Sequence, residues 1–394
     1  MKSDISTAKR VFFMIMDSFG IGAAPDAAAF GDEGSDTLRA VSGSPRLFCP
    51  NLARLGLFAI EGTEEAQPAF LDALSGECAG SYGRLRELSA GKDTIIGHWE
   101  LAGLVSAKPM PVFPEGFPAD FIAAFEKAVG HRCIVNRPYS GTKVIEEYGE
   151  QALRENALIV YTSADSVFQI AANESQIPVE ELYRCCEIAR NMLTGDLAVG
   201  RVIARPFEGT DRKSFRRTER RHDYALSPPA PTMLDILRDA GRDVIGVGKI
   251  GDIFNGQGLT ESHRTTGNLD GLITTDEIAA RNDWSGLCFV NLVDFDMLYG
   301  HRRNIDGYAQ AVTDFDAWLS IFMDSMCEDD LLVISADHGC DPSFSAHTDH
   351  TREYVPLLMY GCGVEKGRDL GTVDGFGFAA ETILRALGTE CRTA

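Results

Sequence analysis

Carboxylate and imidazole side chains are concentrated in two segments of the C-terminal half of the sequence. The first segment, NLVDFDMLYGHRRN, offers Asp294, Asp296 and His301. The second, SADHGCDPSFSAHTDHTRE, offers Asp337, His338, Asp341, His347, Asp349 and His350. Mixed Asp and His ligands suit Mn, Zn or Fe better than Ca, which prefers oxygen alone, and a structural zinc site would add thiolates. The two segments therefore predict a site for divalent transition metals.

A third carboxylate lies near the start of the chain, in the motif DSFGIG. Asp17 directly follows the apolar run Val11–Met16. An aspartate in this position either caps the turn that follows it or contributes a further metal ligand. Gly20 and Gly22 would allow another group to approach this backbone closely.

A hydroxyl group lies in the fourth segment of interest, GKDTIIGHWELAGL. The apolar spacing of this segment predicts a helix that begins near Thr94. A threonine at a helix start is usually only a cap. The alternative is a nucleophile, because a helix N-terminus favours a transferring phosphoryl group and a nearby divalent cation would activate the hydroxyl.

Short apolar runs of strand length alternate along the chain with longer amphipathic patterns. The predicted strands are Val11–Met16, Ala157–Tyr161, Arg201–Ala204, Val244–Val247, Leu287–Val293, Leu331–Ser335 and Val355–Tyr360. The predicted helices, besides the one near Thr94, are Pro178–Leu193, Thr232–Ala240, Asp306–Cys327 and Phe376–Leu387. This alternation predicts an α/β fold with a mostly parallel sheet flanked by helices. Ligands of such sheets bind at the carboxyl ends of the strands, where the polar residues Asp17, Asp294, Asp296, Asp337 and His338 are expected.

Two proline-rich segments divide the chain. Residues 107–118 (AKPMPVFPEGFP) and 227–231 (SPPAP) resemble linkers. We therefore predict a discontinuous core of residues 1–107 and 226–394, with a smaller α/β or α+β domain, residues 108–225, inserted into it. Six bases crowd the end of the insertion, in the run RKSFRRTERR from Arg212 to Arg221. This run is either a solvated flexible loop or a loop that faces phosphate.

The overall charge excludes some classes of partner. Among 394 residues, 58 are acidic and 37 are Lys or Arg, which gives a net charge of −21. Nucleic acids and anionic membranes are both bound by positive surfaces, so we expect neither as a partner. The ten cysteines form no CxxC pair, and the apolar run after the polar start is too short for a signal peptide or a membrane span. These features predict a soluble cytoplasmic protein with reduced thiols.

A series of motifs makes a resemblance visible. DSFGIG, GKDTIIGHWE, YTSADSVFQIA, RVIARPF, RHDYAL, VGKIGDIF, NLVDFDMLYGHRR and DHGCDP followed by TDHTRE occur in this order. From about residue 11 to residue 360, the chain resembles the phosphopentomutase family of the alkaline phosphatase superfamily. The resemblance implies an alkaline-phosphatase-like core with an inserted cap domain for substrate recognition. It also implies interconversion of ribose 1-phosphate and ribose 5-phosphate, or of their 2-deoxyribose analogues, by an isomerase of the phosphomutase class.

The resemblance also assigns roles to individual residues. One metal ion, most often manganese, would be held by Asp17, Asp337, His338 and the oxygen of Thr94, and a second by Asp296, His301 and His350. His347 and Asp294 are the alternatives to His350 and Asp296. We prefer His350 because it lies in TDHTRE, and Asp296 because of its spacing to His301. The implied substrate contacts are Asp165, Arg201, Ile203 and Lys249.

The family's chemistry implies a covalent intermediate on the enzyme. Thr94 would carry the phosphoryl group, the sugar would pass through a pentose 1,5-bisphosphate, and glucose 1,6-bisphosphate or a pentose bisphosphate would prime the cycle. The nearest alternative is a metal-dependent phosphatase or phosphodiesterase on the same core, in which water is the final acceptor. A non-catalytic binding protein is disfavoured because a binder needs no nucleophile.

Overall fold

The computed structural model describes residues 8–389, apart from 67, 69, 72–75 and 164. The chain divides into two compact units, one formed by Met1–Pro109 with Pro228–Ala394 and the other by Met110–Ser227. The unit boundaries fall within the two proline-rich segments. Within the described residues, no helix has the length and apolar character needed to cross a bilayer. The described cysteines are all free thiols, and Cys391 lies outside the described residues.

The first unit is built on an eight-stranded sheet with the strand order β10-β9-β11-β1-β12-β13-β2-β14. Its strands are β1 (Arg10–Met16), β2 (Ser81–Arg86), β9 (Asp243–Val247), β10 (Glu261–His263), β11 (Gly286–Leu292), β12 (Asp330–Ser335), β13 (Val355–Gly361) and β14 (Asp369–Asp374). Only β13 runs antiparallel to its neighbours in this sheet. The central strands are buried on both faces, as in parallel sheets covered by helices.

Helices surround this sheet. They are α1 (Ala27–Phe30), α2 (Thr37–Ser42), α3 (Pro50–Leu55), α4 (Thr94–Leu101), α8 (Met233–Asp239), α9 (Ile250–Ile253), α10 (Asn268–Ala279), α11 (Ile305–Ser325) and α12 (Gly377–Ala386). A 3-10 turn covers Leu57–Ala59, and a π-helical segment covers Phe295–Gly300.

The three central strands set the position of the site. β1 pairs in parallel with β11 on one side and with β12 on the other, and the pairing places Met16 beside Leu292 and Ile15 beside Ser335. Because the strands are parallel and in register, their carboxyl ends meet at one edge of the sheet. The segments that follow, beginning at Asp17, Val293 and Ala336, therefore start side by side.

The second unit has a six-stranded sheet of its own, with the order β3-β4-β5-β6-β7 and with β8 paired to β6. Its strands are β3 (Cys133–Pro138), β4 (Leu158–Thr162), β5 (Val167–Asn173), β6 (Arg201–Glu208), β7 (Arg216–Arg217) and β8 (His222–Ala225). Its helices are α5 (Ala119–Val129), α6 (Gly141–Glu155) and α7 (Val179–Met192), with a 3-10 turn at Gly195–Leu197. The pairs β3–β4 and β5–β6 are parallel, and β4–β5 is antiparallel.

The sequence prediction of an α/β fold with a mostly parallel sheet is confirmed. Every predicted strand is present, although β6 extends to Glu208 beyond the predicted end at Ala204. The predicted helix starting near Thr94 begins at that residue. The apolar pattern of the sequence did not predict helices α5 and α6 or strand β5 of the second unit.

Candidate metal centre

Three aspartates meet at the carboxyl edge of the first sheet. Asp17 follows β1, Asp337 follows β12, and Asp296 lies in the π-helical segment after β11. All three residues are 5% exposed or less. One buried oxygen of each carboxylate accepts no hydrogen bond of good geometry in the described part of the chain, and imidazole nitrogens lie 3.1–3.7 Å from these oxygens: Oδ1 of Asp17, Oδ1 of Asp296 and Oδ2 of Asp337. Buried carboxylate oxygens without good hydrogen bonds are costly, so this edge requires cations.

Imidazoles complete two donor sets around these oxygens. Asp17, Asp337 and His338 place ligand atoms within 4.8 Å of one another, and so do Asp296, His338 and His350. Nε2 of His338 lies 3.1 Å from Oδ2 of Asp337 and 3.7 Å from Oδ1 of Asp17. Oxygen and nitrogen donors of this kind suit divalent transition metals.

His301 lies beside Asp296 and His350 of the second set. Nε2 of His301 lies 3.4 Å from Oδ2 of Asp296, and Nε2 of His350 lies 3.5 Å from Oδ1. The two ring nitrogens are 3.1 Å apart. Ligands at about 2.1 Å from one ion in tetrahedral geometry lie roughly 3.4 Å from one another, so these spacings fit a shared cation.

Hydrogen bonds hold two of the rings in the orientation a ligand needs. Nδ1 of His301 donates to the carbonyl of Thr348 at 2.6 Å, and Nδ1 of His338 donates to the carbonyl of Gly339 at 3.1 Å. Each ring therefore keeps Nε2 available for a metal, which is the usual arrangement around metal-bound histidines.

The π-helical segment explains how residues five positions apart share one site. The backbone N–H of His301 donates to the carbonyl of Asp296 at 3.2 Å, which closes a π turn. A π turn brings residues i and i+5 toward the same face, whereas an α-helix would direct them apart. Such turns occur often at functional sites.

The structure separates the two pairs of alternatives. His350 lies in the second donor set, whereas Nε2 of His347 lies 2.8 Å from Oδ1 of Asp32. Asp296 faces the imidazoles, whereas Asp294 accepts a hydrogen bond from the backbone N–H of Asn268 at 2.7 Å.

Thr94 occupies the first position of α4, beside the first donor set. Its Oγ1 lies 3.1 Å from Nε2 of His338. The carboxylate of Asp93 caps the helix by accepting hydrogen bonds from the N–H groups of Ile95 and Ile96. The Thr94 hydroxyl is therefore free of the capping role and points to the metal-binding edge.

His98 contributes to the centre although sequence reasoning overlooked it. The ring is fully buried, with Nδ1 2.9 Å from the carbonyl of Thr94 and 3.1 Å from Oδ2 of Asp337. Asn291 lies between His98 and Asp17, since its amide is 3.2 Å from Nε2 of His98 and donates to Oδ2 of Asp17 at 3.0 Å. The four-residue spacing from Thr94 was the available signal, because such residues share a helix face.

Gly97 allows α4 to lie this close to the strand end. A Cβ at Gly97 would collide with the carbonyl oxygen of Asp337. Gly20 has a similar role in the first loop, where a Cβ would overlap the buried carboxylate of Glu353. Glu353 accepts hydrogen bonds from the N–H groups of Gly22 and Thr37, so it connects the loop after β1 to the TDHTRE segment.

Burial and nearby charges shift the pKa values of the three aspartates in opposite directions. Burial, together with the nearby charge of Asp337, raises the pKa of Asp17 to about 6, against the opposing charge of Lys249. Burial would also raise the pKa of Asp337, but attraction to His338 and His98 holds that pKa below its usual range. The pKa of Asp296 is likewise held well below its usual range, because His350 and His301 outweigh its burial.

The same electrostatic attractions raise the pKa values of the neighbouring imidazoles. Burial disfavours a charged His338, but the neighbouring Asp337 raises the pKa of this histidine to about 10. The hydrogen bond with Asp296 raises the pKa of His301 to about 11. Without metal, protons therefore provide the positive charge that these carboxylates require.

The other predicted contact residues are distributed over both units. Lys249 directly precedes α9 in the first unit, close enough to act electrostatically on Asp17. In the second unit, Asp165 is exposed in the turn between β4 and β5. Arg201 begins β6, with Nη1 3.7 Å from Asp223, while the Ile203 side chain is only 2% exposed.

The chain matches known proteins over nearly its whole length. Residues 9–391 match the model of the metalloenzyme superfamily. A phosphopentomutase of Lachnoclostridium phytofermentans is 51% identical over 98% of this chain and 96% of its own. The chain belongs to the phosphopentomutase family. A second phosphopentomutase, from Carboxydothermus hydrogenoformans, is 51% identical over 97% of this chain and 96% of its own.

Family membership establishes the class of the protein. It is an isomerase of the phosphomutase type, and its superfamily uses divalent metal ions. The fold is alkaline-phosphatase-like, a mixed α/β core with a second, smaller α/β unit. A solved protein of Pyrococcus horikoshii shares this fold, with a TM-score of 0.50 and 13% identity over 99% of both chains.

Proposed function

We propose that this enzyme interconverts ribose 1-phosphate and ribose 5-phosphate, and their 2-deoxyribose analogues. The observation that carries the proposal is the Thr94 hydroxyl, 3.1 Å from His338 at the edge of a buried Asp and His centre. Relatives at 51% identity carry the name of this activity. A pentose phosphate is thus the substrate, and Thr94 is the group that accepts phosphate from it.

Two divalent ions, most often manganese, complete the centre. Asp17, Asp337, His338 and the oxygen of Thr94 would hold one, and Asp296, His301 and His350 the other. When bound, the ions neutralise the charge that develops on the attacking and leaving oxygens of a phosphoryl transfer. The buried oxygens of the three aspartates support this assignment, because each requires a cation.

The chain's own residues prepare Thr94 for transfer. Its position at the first residue of α4 places the positive end of the helix dipole beside an incoming phosphoryl group. His98 fixes the carbonyl of Thr94, and Asp93 caps the N–H groups that follow. Lys249 adds a positive charge on the Asp17 side. The hydroxyl therefore has a fixed direction and a cationic environment.

The reaction cycle begins with phosphorylated Thr94. The free hydroxyl of the bound pentose monophosphate attacks the phosphorus and loses its proton, and the bond from phosphorus to the Thr94 oxygen breaks. The product is a pentose 1,5-bisphosphate. The sugar then presents its other phosphate, and the Thr94 oxygen attacks that phosphorus. The bond from this phosphorus to the sugar oxygen breaks, and the sugar oxygen takes up the proton lost in the first step, which gives the isomeric monophosphate. Because the bisphosphate can escape, glucose 1,6-bisphosphate or a pentose bisphosphate primes the enzyme.

We assign sugar recognition to the inserted domain, within the predicted boundaries 108–225. Asp165 offers an exposed charged group and Arg201 a half-buried one for sugar hydroxyls, and Ile203 lies two residues from Arg201 on the same strand. We further propose a cytoplasmic location, in keeping with free thiols in the described residues.

Phosphorus NMR tests the proposal directly. The protein is incubated with Mn²⁺, catalytic glucose 1,6-bisphosphate and ribose 1-phosphate. A growing ribose 5-phosphate signal that depends on the bisphosphate is expected. Inorganic phosphate as the only product would refute the mutase and favour the second candidate, a metal-dependent phosphatase or phosphodiesterase in which water accepts the phosphoryl group.

A further inference from the structure

A buried carboxylate outside the metal centre connects two segments that carry proposed site residues. Asp32 lies just after α1 and is fully buried. The ammonium group of Lys92 donates to Oδ1 at 2.9 Å and to Oδ2 at 2.8 Å. Nε2 of His347 lies 2.8 Å from Oδ1, and the backbone N–H of Arg352 donates to Oδ2 at 2.8 Å. Three stretches of sequence far apart in the chain therefore meet at one side chain.

The first of the connected segments leads into the helix of Thr94. Lys92 lies two residues before Thr94, which is the first residue of α4. The residue before Lys92 is held as well, because Nη1 of the buried Arg352 side chain donates to the carbonyl of Gly91 at 2.7 Å. Both contacts fix the chain immediately before α4, and so they fix where this helix begins.

The second segment contains His350, and His347 connects it to Asp32. Nδ1 of His347 accepts a hydrogen bond from the backbone N–H of Asp349 at 3.2 Å. Oδ1 of Asp349 in turn accepts one from the backbone N–H of His350 at 2.9 Å. The carboxylate of Asp32 can only accept, so the His347 ring carries its hydrogen on Nε2 and keeps Nδ1 as an acceptor. A chain of three hydrogen bonds thus leads from Asp32 to His350.

The segment of His350 needs such support because it lies in a connection without regular structure. β12 ends at Ser335 and β13 begins at Val355, and the residues between them, all of them described, form neither a helix nor a strand. Strand pairing therefore cannot set the position of His350, as it does for the residues that directly follow β1 and β12. Side-chain hydrogen bonds must do so.

The position of His350 matters because its ring lies beside the group that adjoins Thr94. The rings of His338 and His350 stack with their centroids 3.9 Å apart. Oγ1 of Thr94 lies 3.1 Å from Nε2 of the same His338. A small shift of the His350 segment relative to α4 would therefore change the spacing between the hydroxyl and the second donor set.

We propose that Asp32 and His347 are positioning residues for phosphoryl transfer. With Lys92 and the backbone N–H of Arg352 they form the Asp32 clamp, which holds the Thr94 hydroxyl and the His350 ring at a fixed separation. Partners outside a ligand set orient the ligands, and a small misplacement of a reacting group is costly in rate. This inference rests on the proposed function, because it takes Thr94 as the nucleophile and His350 as a metal ligand.

The first test is Asp32→Asn, which keeps the shape of the side chain and removes its charge. Lys92 is 18% exposed, so its ammonium group can turn to water in this variant. Calorimetric titration of the metal-free protein should show affinity for one of the two Mn²⁺ ions reduced about 10- to 100-fold. Turnover of ribose 1-phosphate should fall about as much, with KM within about threefold, because no sugar contact is changed.

Asp316→Asn is the matched control. Asp316 is 1% exposed and also joins two segments, since it accepts hydrogen bonds from the backbone N–H groups of Asn51 and Leu52. These contacts connect α11 to α3 and do not involve the metal centre. The control should therefore leave Mn²⁺ affinity and turnover of the folded protein unchanged, even where it lowers stability.

His347→Gln tests the chain of hydrogen bonds from its middle. It should weaken Mn²⁺ binding in the same way, and the double variant with Asp32→Asn should lose no more than about threefold beyond the weaker single variant, because both changes break one chain. Losses that multiply in the double variant would overturn the inference, as would an Asp32→Asn protein that behaves like Asp316→Asn. Failure of the proposed function looks different, because the wild-type protein would then form no ribose 5-phosphate in the NMR assay.

Discussion

Metal loading of the centre should release protons, and the number can be read from the structure. In the metal-free protein the pKa of His301 is raised to about 11 and that of His338 to about 10, so both rings are protonated at pH 7 to 8. A metal ion binds only the neutral ring, so each ion must displace one of these protons. Protonation of each ring therefore weakens metal binding when the pH is below the raised pKa of that ring. This weakening diminishes as the pH rises toward that pKa.

The expected magnitude is one proton and about a tenfold change in apparent affinity per pH unit for each site. Loading of both sites together should therefore become roughly a hundredfold more favourable between pH 7 and pH 8. Below pH 6 the dependence should steepen, because Asp17, whose pKa is about 6, also becomes protonated.

Calorimetry measures this number directly. Mn²⁺ is titrated into metal-free protein in two buffers of different ionisation enthalpy, and the difference in heat gives the protons released. His301→Ala should release one proton fewer than the wild type. His263→Ala is the matched control, since His263 is paired with Glu261 on the edge strand β10. No proton release, or equal release by the wild type and His301→Ala, would refute the reasoning.

Four further results are expected. Thr94→Ala should abolish phosphoryl transfer in the NMR assay while Mn²⁺ affinity, measured by calorimetry, stays within a few fold. His98→Gln should weaken Mn²⁺ binding by about 10- to 100-fold in the same calorimetric assay, because the ring orients Asp337 from outside the ligand set. Arg201→Ala should lower mutase turnover more than p-nitrophenyl phosphate hydrolysis, since only the mutase reaction needs the sugar contact. Asp330→Ala should lower the free energy of unfolding in urea by about 3–5 kcal/mol. The substitution leaves the buried side chain of Arg10, which is 4% exposed, without a counter-charge.

Each of these expectations has a contrary outcome. Substantial mutase turnover by Thr94→Ala would exclude it as the nucleophile, and unchanged Mn²⁺ affinity in His98→Gln would exclude an orienting role. If Arg201→Ala lowered mutase turnover and p-nitrophenyl phosphate hydrolysis equally, a role of Arg201 in sugar recognition would be excluded. The control for Asp330→Ala is Asp374→Ala, which removes an exposed ion pair with Arg86. This substitution should lower the free energy of unfolding by less than about 1 kcal/mol.

Much of the fold could be predicted because local chemistry and parallel-sheet geometry agree. The apolar run of β1 and those of β11 and β12 are buried on both faces, and such runs are readable as strands. Parallel pairing in register then puts the residues after the strands at one edge. That is why Asp17 and Asp337, 320 positions apart, could be expected together from the sequence.

Other features required the tertiary structure. The sequence offered both His347 and His350, and only the path of the loop directs one to Asp32 and the other to Asp296. The π turn between Asp296 and His301 has no local sequence signal, since it depends on where the chain leaves β11.

The sequence by itself determined which chemistry this protein can perform, because the ligand and nucleophile types lie in motifs beside strand and helix ends. Tertiary structure alone decided which groups surround them. His98 reaches Asp337 because Gly97 lets α4 touch the end of β12, and the loop after β1 lies against Glu353 because Gly20 has no side chain. Such contacts join residues far apart in the chain, and their formation depends on packing, which no local pattern encodes.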